Sequence, residues 1–314
     1  MKSILFVCIL SVFPIIAQSQ NSGFNFLKQA PNTAAIGISG ASTATPQGAA
    51  SSYLNPALLS SNTSSTIDLS YSRWIDDTNY LFGGINFVKG NRAISFGVYN
   101  NSSSGFEQRN NPGDPNGEFS VNYLSLSGAI AYDFNYFSIG ATAQYLNEDS
   151  YIYQANGFAF NLGIATSFAE DKIRAGLSVI NLGEMEELNE TASALPKELR
   201  TGVAFDLFSY THPKSPDLPI ELSASIDFVH PLESDSNNNG SDVVNNLPDY
   251  FNMSIQFLIA ESVQLTGGYR TDDSARSTSF GAGFLLDQLS VHYALVPYEL
   301  GFGTLHSIGL QYKF

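Results

Sequence analysis

The segment DSNNNGSD, from Asp235 to Asp242, is the stretch of this sequence whose residue types and spacing come nearest to a metal site. Oxygen donors at alternate positions, followed by a glycine that permits a sharp turn, suit Ca²⁺. The donors would be Asp235, Asn237, Asn239 and Asp242. The bidentate acid expected at the twelfth position is missing, because Asn246 stands there. A flexible polar loop is therefore favoured over a calcium site, which we keep as a weak candidate.

The remaining reactive side chains form no recognisable catalytic constellation. The histidines are scattered without metal-ligand spacing, at His212, His230, His292 and His306. No serine stands in a nucleophile-elbow pattern. The sequence therefore predicts a protein that is not an enzyme and holds no cofactor. A formal charge of −15 also argues against nucleic acid as a partner, because phosphate backbones bind cationic surfaces.

The first residues have the features of a secretory signal peptide. Lys2 supplies a positive charge, an apolar run follows from Ile4 to Ile16, and Ala17-Gln18-Ser19 is a small-x-small cleavage site. The run is shorter than the roughly 20 residues that a membrane-spanning helix needs. We expect residues 1–19 to be removed by cleavage near Ser19. The single cysteine, Cys8, lies inside this segment, so the exported chain would carry no thiol.

From Thr66 onward, the sequence alternates with the period of β-strands. In FSIGATAQY, from Phe137 to Tyr145, one face is apolar or aromatic, and the other is small or polar. A soluble sandwich also alternates, so the period by itself leaves that class open. However, only 14% of the residues are charged, which is well below the roughly 25% of an ordinary soluble domain. An exported, aromatic-rich chain of low charge is typical of a transmembrane barrel.

The alternating segments number about 14, and their connections sort by length. The predicted strands lie near residues 66–74, 78–89, 91–100, 119–134, 136–146, 149–168, 172–182, 197–208, 218–230, 248–259, 261–270, 276–286, 288–296 and 304–314. If both termini are periplasmic, nearly all periplasmic turns are short, and the long loops are external: Asn101 to Glu118, Gly183 to Pro196 and Pro231 to Leu247. Residues 66–314 are therefore predicted to form an all-β, antiparallel transmembrane barrel of about 14 strands in the bacterial outer membrane.

The last predicted strand, TLHSIGLQYKF, ends the sequence on an aromatic residue. Tyr312 and Phe314 fall on its apolar face together with Ile308 and Leu310. This ending resembles the C-terminal signal that bacterial outer-membrane proteins present to their insertion machinery. Tyr312 and Phe314 are the residues that would carry that signal.

Residues 20–65, which precede the first strand, are predicted to form an N-terminal hatch or plug inside the barrel. The segment is rich in small residues, which permit close backbone packing. Within GAASSYLNPALLSS, Asn55 suits a helix N-cap and Pro56 suits the first helical position, so a short helix should start at Pro56-Ala57. The alternative is a flexible periplasmic leader. Apolar residues such as Phe26 and Leu58 argue against flexibility.

Three segments resemble the PorV/PorQ group of Bacteroidota-type outer-membrane proteins, within the wider FadL-like barrels. They are FLKQAPNTAAIGISGAS (Phe26 to Ser42), YLNPALLS (Tyr53 to Ser60) and VHYALVPYELGFGTLHSIGLQYKF (Val291 to Phe314). The last resembles the closing motif of that group most specifically. The resemblance implies a 14-stranded barrel with an N-terminal hatch, which agrees with the strand count.

Two functions follow from this resemblance. The PorV-like function is accessory to type IX secretion: the barrel would bind cargo signal domains or translocon subunits through its external loops, without catalysis. The FadL-like function is a channel for passive uptake of hydrophobic small molecules, gated by the hatch. At the level of sequence the secretion role is favoured, with outer-membrane lipid as the surrounding partner in either case.

Overall fold

The structure, a computed structural model, describes residues 24–61, 63–75, 77–109, 114–189, 191–212, 215–232, 248–273, 275–299 and 301–314. Its main element is a closed barrel of 14 antiparallel strands, in which each strand pairs with the next and the last pairs with the first. The barrel strands, numbered in chain order, are β1 Thr66–Arg73, β2 Asn79–Lys89, β3 Arg92–Gln108, β4 Gly117–Asp133, β5 Ser138–Ser150, β6 Tyr153–Phe168, β7 Ile173–Met185, β8 Glu198–His212, β9 Ser215–Pro231, β10 Tyr250–Ile259, β11 Val263–Arg270, β12 Thr278–Leu285, β13 Leu289–Pro297 and β14 Thr304–Lys313. The predicted fold class is confirmed.

The alternation in the sequence becomes an inner and an outer face of the barrel wall. In β1 every second residue is buried toward the lumen, beginning at Thr66, and the residues between them are exposed. The buried set is polar, as in Asp68 and Ser70, whereas the exposed set is apolar, as in Leu69 and Tyr71. An apolar outer face and a polar inner face are the inverse of a water-soluble fold, and they match a barrel surrounded by lipid.

The two ends of the barrel differ in their connections. Strands β2 and β3 are separated by residues 90–91, and β6 and β7 by residues 169–172. The C-terminal residue lies at this same end, where the Phe314 amide donates to the Ser65 carbonyl at 3.0 Å. Because short turns mark the periplasmic side of outer-membrane barrels, we term this the periplasmic end and the opposite one the external end.

Several strands are longer than the sequence pattern predicted. The expected external loop from Asn101 to Glu118 is mostly strand, because β3 continues to Gln108 and β4 begins at Gly117. The polar run Ser102 to Ser104 hides the alternation there, yet backbone pairing continues, as between Ser102 and Asn122. The expected turn at 209–217 is likewise occupied by the ends of β8 and β9.

The other two predicted external loops differ from each other. Between Gly183 and Pro196 the chain completes β7 and then forms a short hairpin, in which Glu187–Leu188 pairs with Thr191–Ala192. Most of the loop from Pro231 to Leu247 lies outside the described residues. That part contains the calcium candidates Asp235, Asn237, Asn239 and Asp242, so the calcium hypothesis stays a prediction.

The segment before β1 lies inside the barrel as a plug of short helical pieces. They are a 3₁₀ helix at Asn25–Lys28, α1 at Thr33–Gly37, a 3₁₀ helix at Gly48–Ala50, α2 at Ser51–Leu54 and a 3₁₀ helix at Pro56–Ser61. Its apolar side chains, among them Phe24, Ile36 and Leu59, are almost completely buried. In this barrel the hydrophobic core therefore lies between plug and wall. Residues 24–61 therefore pack against the inner face of the barrel, and their action as a hatch stays a prediction.

In the described part of the chain, no helix is both long enough and apolar enough to cross a membrane.

Candidate functional site

The plug is held by side chains that the barrel wall directs inward. Short helical pieces leave many backbone carbonyls without a partner of their own, and such groups must be satisfied when they are buried. Thr142 Oγ1 donates to the Ser52 carbonyl at 2.7 Å, and Asn161 Nδ2 donates to the same oxygen at 2.9 Å. Ser178 Oγ donates to the Leu54 carbonyl at 2.8 Å. The polar inner face thus supplies hydrogen bonds that the plug cannot make within itself.

Asn55 ties the plug to itself and to the wall. Its side-chain amide donates to the Thr43 carbonyl at 2.8 Å and to the Ile164 carbonyl of β6 at 3.2 Å. Its Oδ1 accepts from the Ala57 amide at 3.1 Å. A 3₁₀ helix begins at the next residue, Pro56, which needs no amide donor at a first helical position. Asn55 therefore connects two parts of the plug, at Thr43 and at Ala57, with strand β6.

Inward-facing glycines let the plug backbone touch the wall. A Cβ built on Gly163 would lie 2.0 Å from Asn55 Oδ1, and one on Gly176 would lie 2.0 Å from the Thr43 carbonyl oxygen. On Gly140 it would lie 2.3 Å from the Pro56 carbonyl carbon. Plug atoms come within 3.2 Å of the same position at six further wall glycines, Gly84, Gly97, Gly202, Gly268, Gly281 and Gly309. Each of these sites excludes any larger residue in the present packing.

A buried ion pair fastens the plug to β8 and β9. Arg200 Nη2 lies 3.3 Å from Asp227 Oδ2 and also donates to the Gly40 carbonyl at 2.5 Å. The Thr43 amide and hydroxyl both donate to Asp227 Oδ2, at 2.9 and 2.7 Å. Glu198 Oε2 lies 3.7 Å from Arg200 Nη1. A buried charge is tolerated only when it is paired and hydrogen-bonded, and here part of that pairing comes from the plug.

Charged and aromatic residues continue from this ion pair toward the external end. The Tyr250 hydroxyl donates to Glu198 Oε1 at 2.7 Å, and the guanidinium of Arg270 lies 3.9 Å from the Tyr250 ring centroid. Arg276 Nε donates to Asp273 Oδ2 at 2.8 Å, and its Nη1 donates to the side chain of Gln29 in the plug. These contacts link the plug to the rim of the barrel.

An open cavity of about 820 Å³, termed the external vestibule, lies at this end. Trp74 and Tyr298 stack in its wall with ring centroids 4.4 Å apart, and Trp74 Nε1 donates to the Phe302 carbonyl at 2.9 Å. The lining combines aromatic rings with charged groups from wall and plug, among them Tyr80, Tyr250, Asp272, Arg276 and Phe26. The vestibule could therefore receive molecules with an aromatic or apolar body.

Beside the vestibule lies a packed set of aromatic and apolar side chains, termed the aromatic cluster. Its wall residues are Phe82, Tyr99, Tyr123, Leu146 and Met185. Two plug side chains, Phe24 and Phe26, are enclosed among them with Tyr53 of α2. Burial raises the pKa of the Tyr53 phenol to about 12, against a smaller lowering by Ser125 and Ser127. Tyr53 is therefore neutral at physiological pH, and its hydroxyl donates to the Ser125 carbonyl at 3.2 Å.

The plug separates the external vestibule from two periplasmic cavities of about 670 and 340 Å³. At plug level, a cavity of about 30 Å³ lies among Ile36, Leu54 and the wall residues Asn252 and Ser279. That space accommodates water and is far too small for a hydrocarbon ring.

The predicted site residues occupy separate places. Tyr312 and Phe314 lie on the outer face at the periplasmic end, stacked with ring centroids 6.4 Å apart. His230 Nδ1 lies 2.6 Å from Asp249 Oδ1 at the external rim, and His306 Nδ1 lies 2.7 Å from the Tyr293 hydroxyl on the outer face. His292 lines the smaller periplasmic cavity. The side chain of His212 lies outside the described set.

Within the described ranges, no group of three or more His, Cys, Asp or Glu side chains could hold a metal ion. The residues that sequence reasoning missed are Arg200, Asp227, Thr43 and the inward glycines. Arg200 and Asp227 carried a usable signal, because charges in the middle of predicted membrane strands are costly and usually have a partner.

Comparison with known proteins gives the fold a context. No family model and no curated protein matches this sequence. The structure is similar to the CymD monoaromatic hydrocarbon channel, with 13% identity, a TM-score of 0.61, and coverage of 93% of this chain and 99% of that one. It is also similar to the P. putida toluene transporter TodX, with 11% identity, a TM-score of 0.57, and coverage of 91% and 99%. A third similar structure is that of a Pseudomonas aeruginosa FadL homologue, with 11% identity, a TM-score of 0.50, and coverage of 90% of this chain and 98% of that one.

The fold is FadL-like. Identities this low establish the architecture alone, a closed 14-stranded barrel with a short helical segment before the first strand. The barrel and its neighbours point to the bacterial outer membrane, and the neighbours are transport channels rather than enzymes.

Proposed function

We propose that this protein is an outer-membrane channel for passive uptake of hydrophobic small molecules, and that the plug gates it. The observation that carries the proposal is the external vestibule, which is lined by aromatic and charged side chains and is separated from the periplasmic cavities by the plug. The fold likeness to hydrocarbon channels supports the same function. The residues that would act are the aromatic and apolar ones at the external end, and no catalytic group is required.

The PorV/PorQ resemblance favoured a role in type IX secretion, and the structural likenesses favour the channel instead. The Asn55-Pro56-Ala57 motif, on which part of that resemblance rests, is used inside the barrel to join the plug to β6. A structural role of this kind explains the motif without a secretion partner. The secretion role would regain support if detergent-solubilised protein co-purified with translocon subunits or with cargo signal domains.

Uptake by whole cells tests the channel directly. Cells lacking this protein should take up radiolabelled toluene more slowly than the parent strain, and plasmid-borne protein should restore the initial rate. Uptake of glucose serves as the control for general damage to the outer membrane. Equal toluene uptake with and without the protein would contradict the channel function.

A further inference from the structure

A groove of about 610 Å³, termed the outer groove, lies on the outer face of the barrel across β3 to β7. The small side chain of Ala141 in β5 stands in register between Ile130 of β4 and Leu162 of β6, which leaves a depression between the two larger side chains. The other large apolar residues that line the groove are Ile94, Ile139, Ile164, Leu177 and Val179. The outer groove is therefore apolar along most of its length.

Two cationic side chains lie at the periplasmic edge of the outer groove. Lys89 and Arg92 flank the turn between β2 and β3 and stand directly opposite each other in the strand register, so their side chains lie on the same face of the wall. Both residues are exposed, and Arg92 lines the groove. The Arg92 guanidinium lies 5.7 Å from the centroid of the Tyr132 ring, which lines the groove as well. The cations and the apolar lining thus belong to one continuous surface.

This cation pair has no counter-charge from the described part of the chain. Like charges directly opposite each other on neighbouring strands destabilise a sheet. Among the described residues, neither Lys89 nor Arg92 forms an ion pair with a carboxylate. Asp133, which ends β4 at the same end of the barrel, instead lines the larger periplasmic cavity and accepts from the Asn135 amide at 2.7 Å. An anion from outside the protein would therefore relieve the repulsion.

Aromatic rings place the cation pair at the level of the lipid head groups. Tyr132, Phe134 and Phe137 form a continuous set at the periplasmic end, with successive ring centroids 4.5 and 5.1 Å apart. Aromatic girdles mark the two boundaries of the hydrocarbon layer in outer-membrane barrels. The outer groove extends from this level into the apolar band, so a single lipid molecule could contact both the cations and the groove.

We propose that the outer groove binds one anionic phospholipid of the periplasmic leaflet, with its phosphate group at Lys89 and Arg92 and an acyl chain along the groove. A guanidinium binds phosphate oxygens through paired hydrogen bonds, and a lysine adds a compact positive charge. A soluble anion would satisfy the cations but leave the apolar groove unfilled, and a lipid without net charge would do the reverse. The site lies outside the lumen, so it does not depend on the proposed channel function.

Native mass spectrometry can measure this site in protein that is purified from outer membranes in detergent. The first molecule of dioleoyl-phosphatidylglycerol should bind about tenfold more tightly than the first molecule of dioleoyl-phosphatidylcholine, because the head groups differ in net charge while the acyl chains are the same. Equal dissociation constants for the two lipids would overturn the proposal. This comparison uses the unsubstituted protein, so it remains decisive even if a variant fails to fold.

Removal of the two cations tests where the head group binds. Lys89→Gln/Arg92→Gln should raise the Kd of the first phosphatidylglycerol about tenfold and leave that of phosphatidylcholine unchanged. Arg73→Gln/Arg109→Gln removes the same amount of charge from exposed positions at the external end, and this matched control should keep the preference for phosphatidylglycerol. A preference that survives Lys89→Gln/Arg92→Gln would place the head group elsewhere and overturn the proposal.

Filling the groove tests where the acyl chain lies. Ala141→Phe adds a ring to the outer face of β5 and should weaken binding of the first phosphatidylglycerol about tenfold, because the acyl chain loses its contact with the groove. Ala282→Phe makes the same change on the outer face of β12 and should leave the Kd unchanged. Unchanged binding in folded Ala141→Phe would overturn the proposal. So would a stable dimer that Ala141→Phe dissociates, since a second copy of the chain would then occupy the groove.

Discussion

At the scale of single residues, the close contact between plug and wall depends on wall glycines, which have no side chain, as well as on the polar side chains that bond to the plug. Nine inward glycines leave room for plug atoms that would lie within 3.2 Å of an added Cβ: Gly84, Gly97, Gly140, Gly163, Gly176, Gly202, Gly268, Gly281 and Gly309. Outward glycines such as Gly128 have no such neighbour, since the nearest atom to a built Cβ is 4.0 Å away. The same residue type therefore has two different roles on the two faces of the wall.

Gly163→Ala should loosen the plug, because the added methyl group would overlap Asn55 Oδ1 at 2.0 Å. We expect a loss of about 1–3 kcal/mol in the free energy of unfolding, the usual range for overpacking. Gly128→Ala on the outer face should change that free energy by less than about 0.5 kcal/mol. Urea unfolding in lipid vesicles, followed by heat-dependent gel mobility, measures both, and equal effects would contradict the assigned contact.

Asn55→Ala should weaken the same region through hydrogen bonding rather than volume. The Thr43 carbonyl would lose its donor, which costs about 1–3 kcal/mol when a buried carbonyl is left unsatisfied, and the additional bond to the Ile164 carbonyl of β6 would be lost as well. Hydrogen exchange at the Ala57 amide, which bonds to Asn55 Oδ1, should become faster. Protection of that amide equal to the wild type would show that Asn55 does not hold this turn.

At the scale of elements, the plug consists of pieces too short to be stable alone. The longer of its two α-helices, α1, has 5 residues, and helices of that length are not stable in water without tertiary contacts. The wall supplies these contacts in two different forms. Thr142, Asn161 and Ser178 donate hydrogen bonds to the carbonyls of Ser52 and Leu54. The segment Phe24–Lys28 instead packs against the wall through the rings of Phe24 and Phe26.

The Arg200–Asp227 pair should show strong coupling between plug and wall. Arg200→Met alone leaves the buried Asp227 carboxylate without its cation and should cost about 3–5 kcal/mol. The double variant Arg200→Met/Asp227→Leu removes both charges and should cost clearly less than the sum of the two single variants. A double-mutant cycle of unfolding free energies measures the difference. Additive effects would mean that the pair does not act as a unit.

At the scale of the whole molecule, the barrel is apolar outside and largely polar inside, so its stability depends on the surrounding lipid. Leu69, in β1, is half-exposed on the outer face. Leu69→Arg should destabilise the barrel in a bilayer by about 2–4 kcal/mol, because it would place a cation in the hydrocarbon layer. Leu218→Arg, near the periplasmic end of β9, should cost at most about 1 kcal/mol. Similar losses of unfolding free energy at both positions in lipid vesicles would contradict the placement of Leu69 in the hydrocarbon layer and of Leu218 near its periplasmic edge.

The proposed insertion signal at Tyr312 and Phe314 makes a separate prediction at this scale. Phe314→Ala combined with Tyr312→Ala should lower the amount of folded barrel in the outer membrane several-fold, measured by heat-dependent gel mobility of membrane fractions. Refolding of the purified variant into lipid vesicles should be nearly unchanged, since both rings lie on the outer face at the end of β14. Equal loss in cells and in vesicles would indicate a structural role rather than a signal.

The sequence by itself determined the class of this protein, because strand alternation and membrane burial are local properties. Period 2 with an apolar face predicted the 14 strands, and β13 and β14 lie within one residue of their predicted bounds. Strand ends were predicted less well in polar runs such as Ser102 to Ser104, where alternation fades while backbone pairing continues. The order of short and long connections predicts the orientation of the barrel in the membrane.

The tertiary structure alone decided how the lumen is filled and therefore where a ligand could bind. The Thr43 hydroxyl donates to Asp227, which is 184 positions away in the sequence. The Phe26 ring, near the start of the plug, packs against the Tyr99 ring of β3. Neither contact follows from local pattern, because closing the barrel brings together residues from distant strands. The polar alternation predicted that some side chains face inward. Which plug atom each one touches was decided only by the closed barrel and the packing of the plug within it.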